Sequence, residues 1–207
     1  QFRSVHDDQS IERIERRYGV RRPYLLYVGT LEPRKNLMRA ATAFSRIAHR
    51  FPYHHFYLAG NIGWKSTTLL RKIKQLPHGK RIKRLGYVAE SDLAALYSNA
   101  DLFVYPSLYE GFGFPVVEAM ACGVPVLTSD NSSLAEIARG AALLCNPYDL
   151  DAMTAAMDRG LEDERERERL RLAGMTRASS FSWEESARQT LAVYEEALER
   201  SKVRSRA

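Results

Sequence analysis

The stretch Glu110-Gly111-Phe112-Gly113-Phe114-Pro115-Val116-Val117-Glu118 places two carboxylates on either side of two glycines and a proline. A strand-like run at residues 100–105 precedes it, and a helix-like run at residues 114–121 overlaps its end. Pro115 falls in the first turn of that helix, where a missing N–H costs nothing. The segment therefore predicts a strand, a glycine loop and a helix, with Glu110 before the helix and Glu118 about one turn inside it.

The residue types in this loop suit a ligand that carries both phosphate and hydroxyl groups. Gly111 and Gly113 let the backbone approach a ligand closely, and the helix start offers unpaired N–H groups to a phosphate. An ionised carboxylate is an acceptor only, which suits sugar hydroxyls and repels phosphate. In the alternative interpretation, Glu110 is a solvated loop residue and Glu118 an ordinary helix residue.

Short β-rich runs alternate with helical runs along the whole chain, which predicts parallel strands covered on both faces. We expect a doubly wound, Rossmann-like α/β sheet of about six strands, with ligands bound outside the carboxyl ends of the strands. The predicted strands are residues 24–28, 55–59, 82–85, 102–105, 124–128 and 142–144. The predicted helices are residues 10–18, 37–49, 67–76, 91–98, 114–121, 133–138, 150–160 and 164–177, followed by a last helix that starts with a capping box at Ser182.

The string from Tyr105 to Ser129 resembles the donor-binding half of retaining glycosyltransferases of family 4, which have the GT-B fold. The resemblance runs from about Tyr24 to about Tyr194. It implies two Rossmann-like halves that face each other across a cleft, of which this chain is the C-terminal one. The resemblance implies a nucleoside diphosphate sugar as substrate, and no metal or other cofactor is expected.

The chain of 207 residues can bury one good core but is too short for both halves. The expected organisation is a linker and helix at residues 1–20, a nucleotide-sugar-binding domain at 21–181, and a crossing helix with a polar tail at 182–207. The missing partner would be the N-terminal acceptor-binding domain. We therefore expect this chain alone to be an incomplete, inactive fragment.

A pair of cations follows the first predicted strand, in Gly29-Thr30-Leu31-Glu32-Pro33-Arg34-Lys35-Asn36. Arg34 can give phosphate oxygens a planar set of donors, and Lys35 supplies a compact charge. The resemblance implies that both neutralise the donor diphosphate as it leaves. The alternative is that two adjacent cations cap a surface loop.

The resemblance assigns the remaining roles along the chain. Glu110 would face the sugar, Glu118 the ribose, and the backbone at Gly113 and Phe114 the phosphates, while the loop at Tyr87 and Val88 would meet the base, largely through backbone groups. The predicted catalytic residues are Glu110, Arg34 and Lys35. The predicted donor-binding residues are Gly29, Thr30, Arg34, Lys35, Tyr87, Val88, Glu110, Gly111, Phe112, Gly113, Phe114 and Glu118.

The two motifs most resemble those of bacterial mannosyltransferases of polysaccharide assembly. This favours GDP-mannose as donor, with UDP-sugars open, and transfer of a hexose to a hydroxyl of a glycan or lipid-linked acceptor. Two alternatives remain: a non-catalytic nucleotide-sugar-binding module that complements a separate chain, and half of a sugar-nucleotide epimerase.

Other polar residues have patterns that indicate structural roles and not catalysis or metal binding. Asp149-Leu150-Asp151 looks like a metal motif of a different fold, but aspartates at a helix start are typical caps. The five histidines show no zinc-ligand spacing, so no metal is predicted. Cys122 and Cys145 each lie in an apolar run, which indicates buried thiols.

Charge and hydropathy restrict the partners. The formal net charge is +6, but the basic residues are scattered, which argues against nucleic acid. The run at residues 162–171 places opposite charges three apart, as on a solvated helix. No apolar run of 18 residues exists and the first residues are not a signal peptide, so we expect a cytoplasmic chain, with peripheral contact to the inner membrane face left open.

Overall fold

A computed structural model shows a six-stranded, all-parallel sheet in the order β3-β2-β1-β4-β5-β6. It describes residues 2–64 and 66–204, with the backbone alone for residues 201–204. The strands are β1 (Tyr24–Val28), β2 (His55–Ala59), β3 (Ile82–Gly86), β4 (Leu102–Tyr105), β5 (Val126–Ser129) and β6 (Leu143–Cys145). The predicted doubly wound sheet is confirmed, although β5 begins two residues later than expected, after Pro125, whose carbonyl accepts from the N–H of Phe103 on β4.

Helices cover both faces of the sheet, because the chain runs from β1 towards β3 on one side and from β4 towards β6 on the other. α2 packs against α3 and α7, while α5 packs against α4, α6 and α8. The helices are α1 (Asp8–Tyr18), α2 (Leu37–Ile47), α3 (Ser66–Gln75), α4 (Glu90–Ser98), α5 (Phe114–Ala121), α6 (Ser132–Ala138), α7 (Leu150–Glu162), α8 (Glu164–Ser179) and α9 (Trp183–Arg204).

α1 packs on α4 through a buried carboxylate. Asp92 is 1% exposed and accepts from Arg13, Arg17 and the hydroxyl of Tyr18, at 2.8, 3.0 and 2.7 Å. Ile14 of α1 is buried in the core. The segment before β1 is therefore packed against the sheet domain.

Several local predictions hold. Asp149 caps α7, because its side chain accepts from the N–H groups of Asp151 and Ala152, and both cysteines are buried. The charged run forms pairs three residues apart on α8, such as Arg169 with Glu166. Among the described residues, no helix has both the length and the apolar character that a bilayer crossing requires.

The C-terminal segment differs from the prediction in its cap. Ser182 accepts from the N–H of Glu185 at 3.1 Å, but the Glu185 carboxylate turns to Arg188 and Gln189 instead of completing a capping box. The helix exposes its apolar side chains, with Trp183, Leu191, Tyr194 and Leu198 all more than half exposed. Residues 205–207 of the predicted polar tail lie outside the described residues.

Two glycines allow the loops after β1 and β2 to touch. Gly29 and Gly60 have φ of 146° and 136°, which L side chains rarely adopt. A Cβ on Gly60 would lie 2.0 Å from the carbonyl oxygen of Gly29, closer than any non-bonded contact allows. The backbone that carries the predicted cation pair therefore depends on Gly60.

We expect Gly60→Ala to destabilise the fold strongly, because the added methyl group meets backbone that cannot rotate away. Gly140→Ala is the matched control: φ is +76° there and nothing lies within 4 Å of the new Cβ. The control should cost about 1–2 kcal/mol for the backbone conformation alone. Gly60→Ala should cost at least about 2 kcal/mol more, measured by urea unfolding. Equal losses in the two variants would contradict the steric contact.

Candidate functional site

The loops that follow β1 and β4 are joined at the carboxyl edge of the sheet. Asn36, buried with φ of 59°, donates from its side-chain amide to the carbonyl oxygens of Pro106 at 3.1 Å and Pro147 at 2.7 Å. The N–H of Leu108 donates to the carbonyl of Arg34 at 2.8 Å. Since β1 and β4 are neighbours in the sheet, these bonds fix the cation pair next to the loop that carries Glu110.

Glu110 accepts hydrogen bonds from four side chains. Its Oε1 accepts from Lys35 Nζ at 2.6 Å, Ser107 Oγ at 2.6 Å and the Tyr105 hydroxyl at 3.2 Å. Its Oε2 lies 2.8 Å from Nη1 of Arg34. The structure therefore brings together the three predicted catalytic residues, Glu110, Arg34 and Lys35.

Lys35 is the buried member of this cluster, with 7% of its surface exposed. Besides Glu110, its ammonium group donates to the Tyr105 hydroxyl at 2.6 Å and lies 4.9 Å from the centre of that ring. Tyr27 stacks on Tyr105 at 5.7 Å. A buried cation is tolerated only when it is paired and hydrogen-bonded, and Lys35 has a carboxylate, a hydroxyl and an aromatic face.

Arg34 is the member that solvent reaches, with 41% of its side chain exposed. Its guanidinium also donates to Glu32 at 2.7 Å and to the carbonyl of Tyr109. The hydrogen bond to Glu110 raises the pKa of Arg34, so the group is always charged. The two cations and the two carboxylates cancel, and the cluster carries no net formal charge.

Glu110 and Glu118 have opposite pKa shifts. Burial acts to raise the pKa of Glu110, but hydrogen bonds from Lys35, Ser107 and Arg34 outweigh it and the pKa lies below its usual value. For Glu118, burial raises the pKa, and the hydrogen bond from Tyr97 only partly opposes this. The fold therefore favours the charged form of Glu110 and disfavours the charged form of Glu118.

Glu118 lies on α5, one turn from its start, and is half-buried. Its Oε2 accepts from the hydroxyl of Tyr97 on α4 at 3.0 Å. No other described residue donates to this carboxylate. Among the described residues, Oε2 of Glu118 therefore has a hydrogen-bond partner and Oε1 has none.

The glycine loop before α5 is positioned by α6. Ser133 donates from its hydroxyl to the carbonyl oxygens of Phe112 at 2.6 Å and Glu110 at 3.0 Å. Gly113 has φ of 117°, and a Cβ there would lie 2.6 Å from Leu134. The backbone conformation therefore favours glycine, and a Cβ at this position would also require the end of the Leu134 side chain to shift.

Gly111 in this loop and Phe114 at the start of α5 have different surroundings. Nothing lies within 4 Å of a Cβ added at Gly111, and its φ is not positive, so the fold itself does not require a glycine there. The Phe114 ring stacks on Trp183 of α9 at 5.8 Å, while no described residue accepts from the backbone N–H of Phe114. The unpaired donor at the helix start that the sequence predicts is thus present.

The loop after β3 places Tyr87 and Val88 differently. The Tyr87 side chain is exposed, whereas that of Val88 is buried and can present only its backbone to a ligand. The next N–H, of Ala89, donates to the hydroxyl of Tyr18 at 3.1 Å, and the same hydroxyl donates to Asp92. This loop is therefore attached to α1.

The loop after β1 uses part of its backbone within the fold. The N–H of Gly29 donates to the carbonyl of Ala59 at 2.9 Å, and the carbonyl of Thr30 accepts from the hydroxyl of Tyr27 at 3.0 Å. The Thr30 side chain is exposed. Of these two predicted donor-binding residues, Thr30 is the one with a side chain available to a ligand.

Several side chains that build the site have no role among the sequence-based predictions. Tyr97 orients Glu118, Tyr105 and Ser107 bind Glu110, and Asn36 joins two loops. A polar residue inside an apolar strand or helix, such as Tyr105, is a weak signal because buried tyrosines are common core residues. The partners are distant in sequence and only the folded chain shows them.

Solved structures share this architecture. The chain superposes on sucrose-phosphate synthase from Thermosynechococcus elongatus with a TM-score of 0.80 and 28% identity, covering 95% of this chain and 50% of that one. It superposes on the C-terminal domain of a glycosyl transferase group 1 family protein (LpcC) from Francisella tularensis with a TM-score of 0.73 and 20% identity, covering 86% of this chain and 94% of that one. The fold is thus the Rossmann-like domain of GT-B glycosyltransferases.

Sequence comparison identifies the family. The model for glycosyl transferases group 1 matches residues 8–177, and the chain belongs to this family. It is 41% identical over 175 residues to O-antigen chain mannosyltransferase B of Escherichia coli, covering 83% of this chain and 45% of that protein. The chain thus spans about half the length of this relative and of the sucrose-phosphate synthase.

We expect Glu110→Gln to lower the free energy of unfolding at pH 7 and Glu118→Gln not to lower it. Glu110→Gln leaves the buried Lys35 without its anion and should cost about 3 kcal/mol. Glu118→Gln removes a charge that burial disfavours and should leave stability unchanged or raise it by up to about 1 kcal/mol. Urea unfolding of both variants measures this.

The pH dependence follows from the signs of the two pKa shifts. The contribution of Glu110 is present above its unfolded pKa and is lost as pH falls through its lower folded pKa. Glu118 has the raised pKa, so its favourable contribution is present below the unfolded pKa and is lost as pH rises through the folded pKa. The gain from Glu118→Gln should therefore disappear as pH falls below the unfolded pKa of Glu118. Losses of similar size in both variants at pH 7 would contradict these assignments.

Proposed function

We propose that this chain is the donor-binding half of a retaining glycosyltransferase that transfers a hexose from a nucleoside diphosphate sugar to a hydroxyl group. The observation that carries the proposal is the joined cluster of Arg34, Lys35 and Glu110 at the carboxyl edge of the sheet, with Glu118 on the next helix. In doubly wound sheets this edge, at the point where the strand order reverses between β1 and β4, is where ligands bind.

The diphosphate is assigned to Arg34, Lys35 and the start of α5. Because the cluster has no net charge without a ligand, an incoming diphosphate has to compete with carboxylates for the cations. Arg34 is half exposed and can turn its guanidinium from Glu32 and Glu110 to phosphate oxygens. The unpaired N–H of Phe114 adds a donor at a positive dipole end.

The hexose is assigned to Glu110. When Arg34 turns to the diphosphate, Oε2 of Glu110 loses its partner and becomes an acceptor for a sugar hydroxyl, while Lys35 and Ser107 still hold Oε1. A fixed carboxylate beside the anomeric region also stabilises positive charge that develops on the sugar. Transfer with retention then relies on placed charges, with the leaving diphosphate accepting the proton of the acceptor hydroxyl.

The donor sugar is proposed to be mannose and the donor GDP-mannose. The 41% identical Escherichia coli relative is named as a mannosyltransferase, which favours this choice over UDP-sugars. The acceptor is proposed to bind to an N-terminal half, which would cover the exposed apolar face of α9 formed by Trp183, Leu191, Tyr194 and Leu198.

We expect Arg34→Ala to weaken binding of a nucleoside diphosphate by roughly tenfold to a hundredfold, the worth of a charge-assisted hydrogen bond. The matched control is Arg46→Ala, since Arg46 is similarly exposed (48%) and is also paired with a carboxylate, Asp151 of α7. A thermal-shift screen of GDP, UDP and ADP chooses the base, and calorimetry gives the affinities. Equal affinity of Arg34→Ala and Arg46→Ala would contradict the diphosphate site.

We expect Glu110→Gln and Glu118→Gln to have different effects on the affinity for the sugar-bearing nucleotide. If Glu118 binds the ribose, Glu118→Gln lowers the affinities for GDP and for GDP-mannose by the same factor. Glu110→Gln should lower both affinities, because it disturbs the two cations. The affinity for GDP-mannose should fall more than the affinity for GDP. The readout is the ratio of the two affinities by calorimetry, with the UDP pair used if the screen favours that base. An unchanged ratio of the two affinities in Glu110→Gln would contradict the proposal that Glu110 binds the hexose.

A further inference from the structure

Tyr97 is a fully buried tyrosine whose hydroxyl binds a carboxylate of the candidate site. Its exposed fraction is 0%, and its hydroxyl donates to Oε2 of Glu118 at 3.0 Å. Tyr97 lies near the end of α4 and Glu118 in α5, so this bond joins two helices. Among the described residues it is the one hydrogen bond to the Glu118 carboxylate.

Aromatic rings fix the direction of the Tyr97 hydroxyl. Phe2 and Phe103 pack edge-on against the Tyr97 ring, with centroids 5.9 and 5.3 Å away. Phe103 of β4 in turn stacks on Tyr105 at 5.9 Å, and the Tyr105 hydroxyl donates to Glu110. A continuous row of rings therefore connects the donor to Glu118 with a donor to Glu110.

A buried tyrosine needs one partner for its hydroxyl, and a backbone carbonyl is sufficient. Tyr24 shows this, because it is equally buried and donates to the carbonyl of Leu96 at 2.7 Å. Tyr97 instead donates to a half-buried carboxylate, which burial makes costly to keep charged. The Tyr97 hydrogen bond favours the charged form and restricts the carboxylate to one orientation.

We propose that Tyr97 is a positioning residue for nucleotide recognition: it holds Oε2 of Glu118 so that Oε1 faces the site and accepts from the ribose hydroxyls of a nucleoside diphosphate. This rests on the proposed function, in which the site binds such a nucleotide. Without the Tyr97 hydroxyl, the Glu118 side chain gains rotational freedom and its second oxygen is no longer fixed. Loss of the Tyr97 hydroxyl should therefore weaken the contact with the ribose and leave the contacts with the diphosphate unchanged.

The test compares Tyr97→Phe with Tyr24→Phe in the full chain. Each variant keeps the ring and loses one buried hydroxyl, but only one of the two hydroxyls contacts the site. Calorimetry measures affinity for the tightest-binding of GDP, UDP and ADP and for its 2′-deoxy form. The ratio of the two affinities reports the ribose contact and is insensitive to a general loss of stability.

We expect the unaltered chain to prefer the ribonucleotide by roughly tenfold or more, as for a hydrogen bond to a charged group. Tyr97→Phe should reduce this preference to about threefold or less, whereas Tyr24→Phe should leave it unchanged. Glu118→Gln should also reduce the preference. The double variant Tyr97→Phe/Glu118→Gln should lose no more than Glu118→Gln alone, because the tyrosine acts through the carboxylate.

The other outcomes separate the two proposals. Nucleotide binding with a full ribose preference in Tyr97→Phe, or an equal loss in Tyr24→Phe, overturns the role of Tyr97 and leaves the proposed function standing. Binding without any ribose preference in the unaltered chain overturns the ribose contact of Glu118, and with it the role of Tyr97. Failure of all three nucleotides to bind overturns both proposals.

A second variant covers the case in which Tyr97→Phe does not fold. Tyr97→Met also lacks the hydroxyl, and its flexible side chain can fill an irregular space in the core. A full ribose preference in Tyr97→Met overturns the role of Tyr97, whereas a reduced preference supports it.

Discussion

The ion pair between the buried Lys35 ammonium and the Glu110 carboxylate is the interaction on which the site depends. The 2.6 Å contact joins the loop after β1 to the loop after β4, across the point where the strand order reverses. Neither charge would be stable at this depth without the other, because an unpaired buried ion is far more costly than a paired one. The pair therefore fixes the spacing of the two loops as well as their chemistry.

This arrangement explains why the surrounding hydroxyl groups are needed. Tyr105 and Ser107 donate to the same carboxylate oxygen as Lys35, which leaves Oε2 to the more exposed Arg34. The two oxygens of Glu110 thus have different environments, one saturated by the interior and one held by a cation at the surface. The asymmetry allows a ligand to replace one contact while the buried ones persist.

Much of the fold could be predicted from the sequence, because strands such as β1 and β4 are short apolar runs and helices such as α1 and α2 are clearly amphipathic. β1, β2 and α5 begin and end where the pattern predicts, and Asp149 caps α7 as expected. The carboxyl-edge location of Arg34, Lys35 and Glu110 also followed from the order of elements. The direct contact of Glu110 with both cations did not follow, since spacing along the chain places side chains at an edge but does not decide which charges neutralise each other. Tyr97 and Asn36 were missed for the same reason, because their partners lie on other elements of the fold.

The Tyr18 hydroxyl connects α1 to the loop after β3. It accepts from the N–H of Ala89, next to the loop at Tyr87, and donates to Asp92, so α1 and that loop share one hydrogen-bonded atom. Displacing α1 requires breaking these bonds, and the loop then loses the group that anchors it. Thermodynamic linkage makes the effect reciprocal, so any molecule that immobilises the loop also increases the work needed to pull α1 from the sheet domain. The segment that enters the domain ahead of β1 is in this way mechanically coupled to the loop after β3.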